Sequence, residues 1–360
     1  MPSLTDVPRK RSFLGKLWAL TGPYFFSMEA PIAITLLIVV VGMVLGTVYL
    51  HYMLNGFYGD FNNALQARDL TQTPVTLFGH YFFTLNRFLY LLGYFAILVF
   101  PLVALNVYST YLRQMLQIRW RRWMTERFLG LWLEHHAYYR LQIYGGNADN
   151  PEQRIEADID AFTDNALRLL IIGIVNKTVT LVTFIGLLWE LSTPISFEAL
   201  GTTIVIPGSL VWLAVVYALV GTYVSYRIGR RLVSINFEQQ KLRANFRFGM
   251  SRLKENAESV AMYRGEADEM RSLMGLFGSI WTNFWEVMRY QKRLGWFQQF
   301  FGQAGAIFPI MVIAPAYFAK LIDFGTIFRA IQAFNQVSDA LTWFMDNFIP
   351  LTEWKATVDR

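Results

Sequence analysis

Arg329, Gln332, Gln336, Asp339 and Asp346 interrupt an otherwise apolar segment near the C-terminus at offsets of 0, 3, 7, 10 and 17. At about 100° per residue, these offsets gather them on one helical stripe about 100° wide. Charge in hydrocarbon is costly, so such residues either line a water-filled cavity or pair with one another. Two readings follow: the wall of a solute pathway, or an Arg329 to Asp339 type pairing that only locks helices. Lys177, beside Asn176 in an earlier apolar segment, is a second candidate of the same kind. A mid-segment lysine can meet a solute or a counter-ion, and it can equally snorkel or pair with a neighbouring carboxylate.

Other chemistry is poorly provided for. The sequence has no GxxxxGK[ST], GxSxG or HExxH motif and no cysteine, which removes phosphate-loop, nucleophile-elbow, zincin, disulfide and thiolate chemistry from this chain. The four histidines are His51, His80, His135 and His136, and the adjacent pair lies on a basic amphipathic stretch where a solvated face explains it. Glu152, Glu156, Asp158, Asp160 and Asp164 have helix-face spacing beside Arg154, which favours ion pairing or partner contact over acid–base work. We read no catalytic site and no metal site.

The elements that carry the polar stripe follow from composition. Of the 360 residues, 54% are hydrophobic and only 16% charged, too few polar groups to cover a water-soluble domain of this size. Residues 32–50, 88–111 and 209–226 hold no charge; 167–189, 294–319 and 326–351 are apolar with polar interruptions, including Pro309 and Pro315 in the fifth, which invite kinks. Each is long enough to cross a bilayer as a helix. Twenty-six of the 32 Lys and Arg fall on one side of this six-span arrangement, which places both termini in the cytoplasm and favours a membrane over nucleic acid as the reason for the net charge of +6. The basic segments after spans two and four are long and poor in breakers, so they read as helical stalks reaching out of the bilayer. Residues 51–86 read as an amphipathic interfacial helix, and the other outer connections as turns.

The expected class is therefore an all-α polytopic membrane protein with six transmembrane helices and long cytoplasmic helical extensions. Residues 1–30 form a cytoplasmic leader and interfacial segment, 31–351 the six-helix domain and 352–360 a tail.

Three stretches resemble the membrane domain of ATP-binding-cassette transporters of the peroxisomal fatty-acyl branch (subfamily D) and its bacterial BacA-like peptide and cobalamin relatives. They are PYFFSMEA with the following NGFYGDFNNALQARD, then NADNPEQRIEADIDAF, then NFEQQKLRANFRFGMSRLKENAESVAMYRGEADE. The resemblance implies a type IV exporter-like homodimer in a bacterial inner membrane that moves peptides, cobalamin-like compounds or other large amphipathic solutes by alternating access. It implies that Asn150, Pro151, Glu152, Gln153 and Arg154, and then Glu258, Tyr263, Arg264, Gly265 and Glu266, touch a nucleotide-binding domain supplied in cis or trans. ATP and Mg²⁺ would bind that domain, which is absent here. The BacA-type importers lack it and use protons, so proton drive is the alternative. A third reading, a membrane scaffold or receptor, makes the polar stripe purely structural.

Overall fold

The computed structural model describes residues 13–77, 80–136, 138–139, 154–192, 195–199 and 202–359. Helix α1 (Phe13–Phe25) ends in a tight turn in which Ser27 Oγ donates to the Tyr24 carbonyl. Helix α2 (Ala30–Ala67) follows at once, with Pro31 in its first turn, where a missing N–H costs nothing. It runs well past the charge-free segment and stops at Arg68, whose backbone is left-handed (φ 51°).

The stretch expected to be an interfacial helix is thus split. Residues up to Ala67 continue α2, and the rest forms a hairpin of β1 (Gln72–Leu77) and β2 (His80–Asn86), antiparallel with Gln72 opposite Asn86. Threonine and aromatic residues dominate this run and fit a pleated strand better than a helix. Asp69 closes the base of the hairpin. It accepts from the Thr71 amide and hydroxyl at 2.9 and 2.6 Å and pairs with Arg87 at 3.5 Å. The Thr71 hydroxyl, the Thr71 amide and Arg87 together hold its carboxyl below the usual value of 3.8.

Helix α3 (Arg87–Leu133) starts at an Asn86 cap that accepts from the Leu89 amide. The returning limb has π-helical turns at Arg154–Asp158 and Ala166–Gly173, with α4 (Ile159–Asn165) between them and α5 (Ile174–Leu191) after them. A second hairpin, β3 (Ile195–Ala199) with β4 (Thr202–Ile206), replaces the turn expected there. Then come α6 (Ser209–Glu255), α7 (Ala257–Tyr263), α8 (Glu266–Phe318), α9 (Phe324–Asp346) and α10 (Phe348–Asp359). Helix α8 runs through Pro309 and Pro315 as one element. The last expected span, by contrast, is interrupted at Asn347, because Pro350 has no amide to bond the carbonyl four residues back.

Among the described residues, five helices are long and apolar enough to cross a membrane: Ala30–Ala67, Arg87–Leu133, Ile155–Leu191, Ser209–Glu255 and Glu266–Phe318. The chain is an integral, predominantly helical membrane protein. Helix α9 has 23 residues, enough for about 30 Å at 1.5 Å per residue, but its polar stripe lowers its hydropathy below theirs.

The chain divides into two compact units, residues 1–212 with 312–360, and residues 213–311. In the first, α2 packs along α3 and α9, and α9 also packs along α5. One apolar cluster joins Tyr24 of α1 to Leu116, Trp120 and Met124 of α3, Phe162 of α4 and Trp354 and Val358 of α10. Trp354 stacks on Phe162, meets Phe13 edge-on and donates its indole N–H to the Phe162 carbonyl at 3.2 Å. Burial, with Glu29 adding to it and Arg119 opposing, pushes the Tyr24 phenol up to about 12. In the second unit, α6 and α8 form a long helical hairpin pinned by Arg231–Glu286 (3.8 Å) and Arg252–Glu269 (3.6 Å), with α7 at its tip.

Candidate functional site

Helix α9 divides cleanly by face. Ile327, Ala330, Ala333, Phe334, Val337 and Ala340 are buried and recur at helical spacing. The polar stripe occupies another side: Gln332 and Asp339 are exposed, and Arg329 and Gln336 are half-buried. Asp346 is the last residue of the same helix.

Arg329 is placed by a residue that the periodicity argument missed. Asn55 of α2, only 2% exposed, donates its side-chain amide to the Arg329 carbonyl at 2.8 Å and accepts from the Arg329 Nε at 3.3 Å. One turn on, a side-chain Cβ at Gly59 would overlap the Arg329 side chain, and at Gly325 it would overlap the Gly59 carbonyl. Asn63 then accepts from the Gly325 amide at 2.6 Å. Small residues let the two backbones touch, and the asparagines bridge them, as helices in lipid require. The signal was present in NGFYGDFNN, whose asparagines and glycines are out of place in a lipid-length helix.

Lys177 lies half-buried near the start of α5, the helix that packs along α9, which carries Asp339. Its neighbour Asn176 accepts from Thr180 at 3.3 Å. Trp343 of α9 covers Gly173 at the end of the π-helical turn, where any Cβ would overlap the indole. The structure gives Arg329 to Asn55, and among the described residues no ion pair joins Arg329 to Asp339, so the Arg329 to Asp339 type lock is not what α9 makes. The exposed Gln332 and Asp339 form an open polar strip able to hydrogen-bond a solute or water.

The second group of expected residues sits at the tip of the α6–α8 hairpin. Glu258 and Tyr263 lie on α7, which buries none of its residues, and Tyr263 is 88% exposed. Arg264 takes a left-handed conformation (φ 52°), and the Gly265 amide donates to the Val260 carbonyl at 2.9 Å, which ends α7 and lets Glu266 begin α8. Of the first group, Arg154 falls in the π-helical turn; Asn150, Pro151, Glu152 and Gln153 lie outside the described residues. The acidic residues that follow are ion-paired to α3: Arg121 with Glu156 (3.4 Å) and Asp160 (2.9 Å), and Arg113 with Asp164 (2.8 Å).

Comparison with known proteins agrees with this architecture. The family model described as ABC transporter transmembrane region 2 matches residues 20–318. The inner membrane ABC transporter ATP-binding protein YddA of Escherichia coli is 30% identical over 352 residues, covering 97% of this chain and 60% of the relative. The chloroplastic ABC transporter D family member 2 of Arabidopsis thaliana is 30% identical over 364 residues, covering 100% of this chain and 47% of the relative. The human lysosomal cobalamin transporter ABCD4 is 28% identical over 173 residues, 47% of this chain and 25% of that protein. The chain thus spans about half the length of the curated relatives it matches. A family match over residues 20–318, with two relatives 30% identical across nearly the whole chain, puts this chain in the ABC transporter transmembrane region 2 family, as a membrane domain of the subfamily D-like branch.

Proposed function

We propose that this chain is the permease half of an ATP-driven transporter in a bacterial inner membrane, working as a homodimer of six-span halves with both termini cytoplasmic. The observation that carries the reading is α7: a seven-residue helix with nothing buried, held at the end of two helices of 47 and 53 residues, is built to be gripped by something else. A nucleotide-binding domain, in cis or trans, closes on ATP and Mg²⁺ and pushes there through Glu258 and Tyr263, with Arg264, Gly265 and Glu266 fixing the turn. The first contact region, Asn150 to Arg154, serves the same domain. The stalks convert closure into alternation between inward-open and outward-open states.

Gln332, Gln336, Asp339, Asp346 and Lys177 line the route in this reading, and Arg329 stands at its edge. A large amphipathic cargo, a peptide or a cobalamin-like compound, suits an open polar strip flanked by apolar surface; the name of the human relative supports the second. The proton-driven alternative is less favoured, because the Escherichia coli relative YddA carries ATP-binding in its name. The deciding experiment reconstitutes the chain with the nucleotide-binding domain encoded by its own locus and follows labelled peptide and cobalamin. ATP-dependent transport that Tyr263→Ala abolishes is expected. Uptake that needs no nucleotide and collapses with an uncoupler would overturn the ATP reading.

A further inference from the structure

A cleft of about 300 Å³ opens where α1 turns into α2, lined by Glu29, Ile118, Arg119, Arg122, Trp123 and Glu126. Its depth in the bilayer follows from the sequence. Glu29 lies three residues before the charge-free run that begins at Ile32, which puts it at the headgroup layer. Arg119 reaches Glu29 from α3 at 3.1 Å, so the cleft floor is at the same level. The residues beside Glu29 fit that depth: Phe26 is 78% exposed and Met28 fully exposed, and Trp18 meets Phe26 edge-on. Apolar and indole side chains held out at this level are what the membrane interface takes up.

The charges in the cleft balance. Two arginines face two glutamates: Arg119 pairs with Glu29, and Arg122 pairs with Glu126 at 2.8 Å; Arg127, outside the lining, lies over the Trp123 ring at 5.3 Å. A basic pocket for anionic lipid would not carry two carboxylates. Each guanidinium has five donors and spends few on its carboxylate, and each carboxylate keeps free lone pairs. The cleft therefore offers phosphate-binding donors and ammonium-binding acceptors side by side.

We propose that this cleft binds one zwitterionic phospholipid headgroup, a phosphate ester bearing a primary ammonium. The phosphate bridges Arg119 and Arg122, the ammonium sits between Glu126 and Glu29, and an acyl chain descends along Ile118. A quaternary ammonium of the same size has no N–H to give the carboxylates, and a glycerol headgroup leaves them facing phosphate with no cation between. The inference rests on the membrane depth of α2 and is independent of what powers the transporter.

The full chain, purified and stripped of lipid, would be titrated with dioleoyl phosphatidylethanolamine, phosphatidylcholine and phosphatidylglycerol, and bound lipid counted by native mass spectrometry. Ethanolamine lipid should be retained about tenfold more tightly than the other two, the worth of one charge-assisted hydrogen bond. The double variant Arg122→Gln with Glu126→Gln should lose that preference without a change in melting temperature, since both side chains are mostly exposed. Competition by soluble O-phosphoethanolamine would support headgroup recognition. Equal retention of the three lipids, stronger retention of phosphatidylglycerol, a preference that survives the double variant, or binding of O-phosphoethanolamine without retention of lipid would each overturn the proposal.

Discussion

Replacing Asn55 by alanine separates a structural clamp from a solute contact. The asparagine makes two bonds to α9, one at 2.8 Å to a backbone carbonyl and one at 3.3 Å from a guanidinium. Hydrogen bonds between helices in lipid average about 0.6 kcal/mol and reach about 1.7, so losing both should cost about 1 to 2 kcal/mol. Arg329→Gln removes only the longer bond, because the shorter one ends on the backbone and survives the change. It should therefore cost less than Asn55→Ala, by about 0.5 kcal/mol or more. Thermal unfolding of the two variants and the double variant in lipid nanodiscs gives the order directly and yields the coupling term from a cycle. If Arg329→Gln proves the more destabilising of the two, or Asn55→Ala is neutral, α9 is held by its charge and the clamp described here is wrong.

Further outcomes are expected. Gln332→Leu with Asp339→Leu should abolish transport while leaving the unfolding free energy within about 0.5 kcal/mol, because exposed positions contribute little to packing; retained transport would mark the strip as structural. Tyr263→Ala should uncouple ATP hydrolysis from transport with no loss of stability, checked by comparing the two rates. Trp354→Ala should cost about 3 kcal/mol, as deletion of a large buried aromatic does, and should expose α1 to protease. Asp69 has a lowered carboxyl value, so its contribution is present above pH 3.8 and is lost as pH falls through the lowered value. Hydrogen exchange at residues 68–71 should rise on acidification, and Asp69→Asn should show the acid pattern at neutral pH.

The membrane-bound, helical character of the chain was legible because lipid imposes length and apolarity on each segment, as in 32–50 and 88–111. The stripe on α9 was legible for a related reason: a polar residue in such a segment stands out against its neighbours. What escaped was pairing. Periodicity gives Arg329 an angle on its own helix but not the identity of Asn55, which lies 274 positions earlier. The first hairpin escaped because Thr, Phe and Tyr alternate with turn residues over runs too short to weigh against a helical reading of residues 51–86, and the second because its strands are only five residues each in a connection read as a turn. The break at Asn347 could have been read from Pro350, had the proline been weighed against the length of the apolar run.

Gly59 and Gly325 leave no room for even a methyl group between α2 and α9, and the asparagines on either side stitch the two together. A seam of that kind resists opening, so in the proposed cycle these two helices would travel as a single strut. Beside it the helical ladder is less regular, widened in the π-helical turn at Ala166–Gly173, on which Trp343 rests, and interrupted at Asn347. In the alternating-access cycle proposed above, those two places are where the chain would bend around the strut.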